Sequence, residues 1–451
     1  MMAAAADPVQ PFGRRGLCPA LSAPMRTGDG FLSRIAFEAD ISPRAMIALC
    51  HLAERHGNGL IDITARGSLQ FRGLTPASAC ALEKDVLTRG LPLREGLAVE
   101  TSPLAGRDEA EIADSRPLAV EIRKEADRLA LHEKLAAKMS VVIDGGGRPS
   151  MGDLLADIRL KAVSVDGQVF WRLLVGGPES KALSVGVVET GAAAGVVLSL
   201  LLCLAGKGPL ARGRDLDRQT VKAVCGDCLQ DRVTGGEAAA AFSPLGLMTV
   251  GKDRSAAWVG PAFGQVRGSD LSRLCERADL LGIKALRPSL NHSLLFFGSS
   301  SACSAVIETA KVSGFVTAAG DARSSIAACS GAPGCASAFF STHELAAFAF
   351  RECASMLDGS FTLHFSGCGK GCAHPAPSLL ALCGTADGLA VSVSGRAGDP
   401  PVVIIPFEQQ KTVLSRLARL YEKEHKPGEN AATLFARLGR DKIGTALRQD
   451  D

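Results

Sequence analysis

The sequence has almost no excess of charge of either sign. Fifty Lys and Arg stand against 47 Asp and Glu, a formal net charge of +3. That excludes the broad basic face of a general nucleic-acid binder, so no nucleic acid is expected as a partner. Basic residues that matter should be local and placed to meet one anionic ligand. Long apolar runs are also scarce. The longest uncharged stretch, 190–206, is shorter than the roughly 18–20 residues of a bilayer span and is diluted by Gly, Ala and Ser. A buried core helix is expected there, and no membrane as a partner. The Ala-rich start, Met1–Gln10, lacks a basic segment before an apolar core, so a cytoplasmic location is expected. No Gly-x-Gly-x-x-Gly follows a strand, which argues against a Rossmann domain.

What the chain does have is length, apolar content and cysteine. At 451 residues it suits about three domains. With 47% hydrophobic and 22% charged residues, a packed core is easily built. Fourteen cysteines in a chain without an export signal do not read as a disulfide framework. They are available for packing or for metal.

A weak internal repeat organises the chain. Phe31–Phe37 reads as a strand. Ser42 and Pro43 then open a helix, as N-cap and first helical residue, with Ala45, Leu49, Leu52 and Ala53 along one face and Gly57 at its end. The strand Leu60–Thr64 and the run Arg66-Gly-Ser-Leu-Gln70 follow. A second copy begins near Phe263: Ser269 caps a helix bearing Leu271, Leu274, Cys275 and Ala278, and Gly282 stops it. Ile283–Leu286, Arg287-Pro-Ser-Leu-Asn291 and Leu294–Phe297 complete it. Between the copies, Pro103–Gly106 reads as a turn, Pro117–Leu135 and Val196–Leu204 as helices, and Val141–Asp144 and Phe170–Val175 as strands. The charged segment 212–237 reads as an interdomain crossing. Helices Glu408–Glu424 and Ala431–Leu438 close the chain. Interspersed strands and helices predict an α+β fold.

Two close cysteine pairs carry the chemistry. They are Cys329-x5-Cys335 and Cys368-x3-Cys372, with 32 residues between the inner two. Four thiolates in this pattern suit a cubane iron–sulfur cluster, one Cys per iron. Gly331, Ala332, Pro333, Gly334, Gly367, Gly369 and Gly371 are small fillers that let backbone amides approach the sulfides. Structural zinc is an alternative, though its pairs usually enclose two to four residues; plain packing cysteines are another. Cys50, Cys80, Cys203, Cys275, Cys303, Cys353 and Cys383 sit in apolar contexts and read as small core residues. Cys18 reads as inert, and the role of the lone pair Cys225 and Cys228 stays open.

These motifs resemble the cluster signature of the siroheme-dependent sulfite and nitrite reductases. Asp29–Arg34 and the segments Thr64–Arg66 and Gln70–Gly73 are similar to their ferredoxin-like half-domain. Within that superfamily, Cys329–Ala338, His364–Pro377, Pro24–Gly30 and Ser102–Gly106 resemble the precorrin-3B synthases of aerobic cobalamin formation. The resemblance implies a pseudo-twofold duplicated reductase-like architecture: a first ferredoxin-like half-domain at 16–85, an α+β domain at 100–240, a second half-domain at 255–315, and a second α+β domain at 320–451 carrying the cluster.

The resemblance also implies an activity: O2-dependent monooxygenation of precorrin-3A, a tetrapyrrole, with hydroxylation and lactone formation. A 4Fe-4S cluster on Cys329, Cys335, Cys368 and Cys372 would store electrons, drawn ultimately from NADH through a separate reductase. Arg34, Arg66, Arg72, Lys138 and Lys370 would bind the substrate's carboxylates, with Arg148, Arg159 and Arg287 as weaker candidates. A mononuclear non-haem iron with His or carboxylate ligands has room in this scheme, and His364 and His374 are the histidines closest in sequence to the cluster cysteines. Siroheme is not expected. Reductases clamp it with two arginines and two lysines; here Arg66 and Lys138 match one of each, whereas Leu97 and Ser140 stand near the other two positions. The rival readings are a siroheme-dependent sulfite or nitrite reductase and a zinc-bearing, non-catalytic tetrapyrrole-binding scaffold.

Overall fold

A computed structural model describes residues 19–231, 245–251 and 254–448. Cys18 and the last part of the expected crossing at 212–237 lie outside the described residues. The chain divides into two compact units, one built on 93–231 and the other on 20–92 and 256–448.

The first repeat starts with β1 (Met25–Thr27) and β2 (Gly30–Ile35), antiparallel about the Gly28–Asp29 turn. Helix α1 (Pro43–His56) begins as its sequence predicts: Ser42 Oγ accepts the Ala45 N–H at 3.1 Å, and Pro43 occupies the first turn. Its Met46, Leu49, Leu52 and Ala53 are buried. Strands β3 (Leu60–Ile63) and β4 (Leu69–Leu74) follow, then α2 (Pro76–Leu87), capped reciprocally by Thr75 and Ser78.

The other unit interrupts the repeats. It runs β5 (Ala98–Thr101), α3 (Arg116–Arg128), α4 (Leu131–Lys134), β6 (Ser140–Asp144), β7 (Ala156–Val165), β8 (Gln168–Gly177), β9 (Leu183–Glu189), α5 (Thr190–Lys207) and α6 (Arg218–Cys225). The sheet order is β5-β6-β7-β8-β9, parallel through β7 and antiparallel beyond. The single helix expected at 117–135 is two helices, because Ala130 takes a left-handed φ of 49° between them. Among the described residues, α5 is the one helix long and apolar enough to cross a membrane. Its Ala193, Val197, Leu200 and Leu204 belong to the core of this unit, while Leu202 is 46% exposed. Part of the expected crossing is α6, with Val221 and Cys225 in the same core.

The second repeat comprises β10 (Gly246–Thr249), β11 (Ser255–Val259), β12 (Gln265–Arg267), α7 (Gly268–Leu280), β13 (Ala285–Ser289), β14 (Ser293–Gly298) and α8 (Ser300–Val312). Its sheet order, β10-β11-β14-β13, reproduces the β1-β2-β4-β3 order of the first. The second copy therefore begins with β10 and β11, upstream of Phe263. The α+β duplication is thus written in the topology. The copies also exchange contacts. β12, which precedes α7, pairs with β3 of the first repeat, and Ile41, just before α1, bridges to Leu286 on β13. Each copy thereby extends the other's sheet edge, which leaves less unpaired backbone.

This exchange moves one predicted cap. Helix α7 starts at Gly268 rather than after Ser269, and no side chain caps it. Instead the Gly268 N–H donates to Gly59 O at 2.8 Å. A Cβ at Gly268 would stand 2.9 Å from the carbonyl oxygen of Cys50 on α1.

The chain then builds β15 (Ile326–Ala328), the single turn α9 (Gly331–Gly334), α10 (Thr342–Glu352), β16 (Leu363–Ser366), β17 (Ser378–Thr385), β18 (Gly388–Gly395), β19 (Val403–Ile405), α11 (Gln410–Glu424) and α12 (Ala431–Arg448). These strands form a sheet in sequence order, and Leu363, Phe365, Leu380, Leu382, Val391 and Val393 pack one face into a core with α10, α11 and α12. The last helix is longer than the expected 431–438 and bends at Gly439.

The close approach at Gly268 yields a test. Gly268→Val should destabilise this unit by about 1–3 kcal/mol, the usual cost of forcing bulk into a packed contact. Urea unfolding measures it, and an unchanged midpoint would show that α1 and α7 can part freely.

Candidate metal centre

The two cysteine loops leave the same ends of neighbouring strands. β15 and β16 pair in parallel, Ala328 opposite Phe365. Cys329 follows the first directly, and Gly367 and Cys368 follow the second. Parallel strands carry their C-termini in one direction, so the backbone alone brings the loops together. Their contacts are close: Gly367 donates its N–H to Cys329 Sγ at 3.1 Å, and Phe339 donates to Gly367 O at 2.9 Å. A Cβ at Gly367 would fall 2.6 Å from the Cβ of Ala338, so a larger residue there would force the loops apart.

All four thiols share one electrostatic neighbourhood. Burial pushes the Cys372 thiol above its usual range, and negative charge on Cys329, Cys368 and Cys335 pushes it further. A positively charged iron core would relieve that repulsion. No group of three or more His, Cys, Asp or Glu among the described residues is placed to hold a single ion. A single zinc draws its four sulfurs to about 2.3 Å from one point, whereas a cubane takes one thiolate on each of four separate irons. The convergence seen here suits the second arrangement. The Gly367 N–H on Cys329 Sγ is the kind of amide–sulfur contact that supports a bound cluster.

The first loop is fastened to the first repeat by Arg72. This side chain is only 3% exposed. It donates through Nε and Nη2 to the two Asp29 oxygens at 3.1 Å each, through Nη1 to Asp62 at 2.9 Å and to Ser330 Oγ at 3.3 Å, and through Nη2 to Gly334 O. Burial alone would lower the Arg72 pKa, but Asp62 and Asp29 more than offset it and hold the guanidinium charged. Gly28 N–H adds a 3.3 Å bond to Gly334 O, and a Cβ on Gly28 would strike Pro333 O. Expected as a substrate clamp, Arg72 instead spends its donors on the protein. The bonds from Arg72 on β4 to Asp29 in the β1–β2 turn and to Ser330 and Gly334 in the loop have no local sequence signature. The closeness of Thr27-Gly-Asp-Gly30 to the cysteine motif lies in space, not in sequence.

The other basic residues divide. Arg34 lies opposite Gln70 in the β2–β4 ladder, where the Gln70 side-chain oxygen accepts from its guanidinium. Arg66 is half-buried and bridges Leu290 of the second repeat. Lys370 is exposed and reaches Ser337 Oγ at 2.9 Å, linking the two cysteine loops. Arg287 donates to Glu38 O at 3.4 Å and lies 3.9 Å from Asp40. Lys138, Arg148 and Arg159 belong to the other unit. Lys138 is exposed. Arg148 pairs with Asp108 at 2.6 Å, and buried Arg159 holds the carbonyls of Met151, at 2.8 Å, and Leu154.

His364 sits on the second face of the sheet that carries both cysteine loops. Side chains alternate along a strand, so His364, Ser366, Ala381, Cys383, Ala390 and Ser392 face away from the apolar core, and all are buried. His364 is fully buried, and neither ring nitrogen has a partner. Burial, aided by His374, lowers its pKa to about 4 and keeps the ring neutral. The His374 ring stands edge-on at 5.7 Å. Cys383, expected as a core residue, is buried on this face, where burial and the charges of Cys368 and Cys329 raise its thiol to about 11. Cys50, Cys275, Cys303 and Cys353 are buried as expected, but Cys80 is exposed and Cys203 half-exposed. Cys225 is buried and its thiol raised to about 11, chiefly by burial and then by Cys228, which is exposed.

Comparison with known proteins defines the class. Residues 23–88 match the nitrite/sulfite reductase ferredoxin-like half domain. The solved structure of the Mycobacterium tuberculosis NirA protein superposes with a TM-score of 0.71 at 18% identity, over 92% of this chain and 84% of that one. The fold is therefore that of the sulfite and nitrite reductases. A Sinorhizobium protein named precorrin-3B synthase is 40% identical over 438 residues, 97% of this chain and 95% of its own length. The chain belongs to the precorrin-3B synthase family.

The Arg72 network can be tested directly. Arg72→Met leaves two partly buried carboxylates without their cation, which should cost about 3–5 kcal/mol. Cys335 should also react faster with a thiol reagent as its loop loosens. Unaltered stability together with unaltered labelling would remove Arg72 from its fastening role.

Proposed function

We propose that the chain catalyses the conversion of precorrin-3A to precorrin-3B, with O2 as oxygen source and NADH as ultimate reductant. One oxygen atom enters the substrate as a hydroxyl at a meso carbon, a ring acetate closes a lactone, and the second oxygen atom leaves as water with two electrons and two protons. Membership of the precorrin-3B synthase family supports the substrate class. The observation that carries the redox reading is the convergence of two cysteine loops at the ends of β15 and β16. Cys329, Cys335, Cys368 and Cys372 would hold a 4Fe-4S cluster, which when bound supplies one-electron storage. Electrons would come from a separate reductase, since the chain has no dinucleotide fingerprint.

The chain's own residues have distinct tasks in this reading. Arg34, Arg66 and Lys370 are the cations this unit offers to the substrate's carboxylates, where guanidinium forks pair bidentately, and Lys138 is a separate candidate for the same charge class. Arg72 orients the first cysteine loop. The neutral His364 and the small side chains beside it exclude water from the inner side of the second loop. In this reading the protein acts in the aerobic route to cobalamin, with the cytoplasm as its expected location.

Two measurements test this. Incubation with precorrin-3A and a reducing system under 18O2 should give a product heavier by one labelled oxygen atom, and no such product under argon. Label taken only from water, or equal turnover without O2, would overturn the oxygenase reading. Separately, Cys335→Ser should abolish the broad brown cluster absorption and most acid-labile sulfide while the chain stays folded. A variant with a full sulfide complement would show that other residues bind the irons.

A further inference from the structure

His364 presents a problem that the protein alone does not solve. A neutral imidazole always carries one N–H, and a buried donor without a partner is costly. Neither His364 nitrogen is hydrogen-bonded, although the ring is fully buried. Its cross-strand neighbours are Ala327 on β15 and Ala381 on β17, which bring no polar side chain. The His374 ring is edge-on with its centroid 5.7 Å away, and no hydrogen bond joins the two rings.

The second cysteine loop lies against this ring. His364 points from the same sheet face as Ser366 and Cys383, next to the second cysteine loop. A Cβ at Gly371, the residue before Cys372, would stand 3.7 Å from His364 Cε1. Gly371 adopts a φ of 62°, which suits glycine. Cys383, two positions along the same face, feels the charge of Cys368 and Cys329. Gly371, the residue before Cys372, thus brings the second cysteine loop against this ring.

We propose that His364 donates its ring N–H to a sulfur of the cluster bound by Cys329, Cys335, Cys368 and Cys372, and thereby raises the cluster's reduction potential. The inference rests on the cluster reading given above and assigns His364 a positioning and tuning role rather than an iron-ligating one. Reduction adds negative charge to the sulfurs, so a donated N–H favours the reduced state.

The test is a redox titration of purified, cluster-loaded protein monitored by electron paramagnetic resonance. His364→Leu removes the donor and should lower the equilibrium constant for one-electron reduction about tenfold, a shift of about 59 mV to lower potential. His364→Gln or His364→Asn offers an amide N–H near one or the other ring nitrogen, and one of them should recover most of the shift. Wild-type protein labelled with 15N-histidine should show a weak nitrogen coupling to the reduced cluster that persists in His374→Ala, a readout that needs no change at His364. Equal potentials in wild type and His364→Leu, both with full iron and sulfide, would overturn the proposal. So would loss of one iron from His364→Leu with an unchanged cluster signal, which would make His364 a ligand of a separate iron. Wild-type protein without acid-labile sulfide would sink the cluster reading itself, and this inference with it.

Discussion

The site depends first on the parallel pairing of β15 with β16. Their cysteine loops are separated by 32 residues in sequence, yet the ladder places Ala328 beside Phe365 and so Cys329 beside the start of the second loop. Had these strands run antiparallel, the loops would leave opposite ends and the four thiols could not converge. A parallel pair needs a crossover, and α10 provides it. That helix also packs Leu345, Ala346 and Ala349 into the core that supports the sheet from behind. Residues with no part in the chemistry therefore decide whether the chemistry is possible.

Backbone direction sets where the loops start, but not where they stop moving. The first loop is rich in glycine and alanine and has little side-chain bulk of its own to pack. Arg72 supplies the anchor through a carbonyl in the loop and two aspartates in the first repeat. A lone buried arginine would carry a heavy desolvation cost. Two carboxylates offset it, and the geometry leaves almost every donor used. The half-domain thus does more than duplicate a fold: its turn at Thr27–Gly30 and its strand β4 form the seat of the first cysteine loop. That explains in physical terms why a segment near the start of the chain shares its pattern with the cysteine motif's family.

Much of this was legible in the sequence, and for reasons that can be named. Ser42 and Pro43 announced α1 because capping and fixed φ act locally. The repeat was readable because both copies keep the same order of strand, helix and strand. Capping reasoning failed at Ser269, where the helix N-terminus is held by a carbonyl of the other repeat, a contact with no local signature. Strands β7 and β9 went unread although β7 alternates Ile158, Leu160 and Ala162 with Asp157, Arg159 and Lys161, a strand pattern open to direct reading. The four cysteines stood out because chemistry fixes their type and spacing. Arg72 was placed among the substrate cations because a sequence shows charge but not the partners that use it up.

The second face of the cluster sheet carries the subtler lesson. In Leu363-His-Phe-Ser366 and Leu380-Ala-Leu-Cys383, large apolar residues alternate with small or polar ones, and in a surface strand this would mean a solvated side. Here the second side is buried throughout. Small residues on a buried face mean that backbone comes close, and the close backbone is the Cys368–His374 loop, with Gly371 against His364 and Gly369 near Gly398. The same alternation thus has two readings, wet surface or tight contact. Only the glycines in the following loop separate them, because they let a main chain lie where a side chain would otherwise be. Once that loop is in place, no protein group bonds either nitrogen of His364, and the ring is held by packing alone.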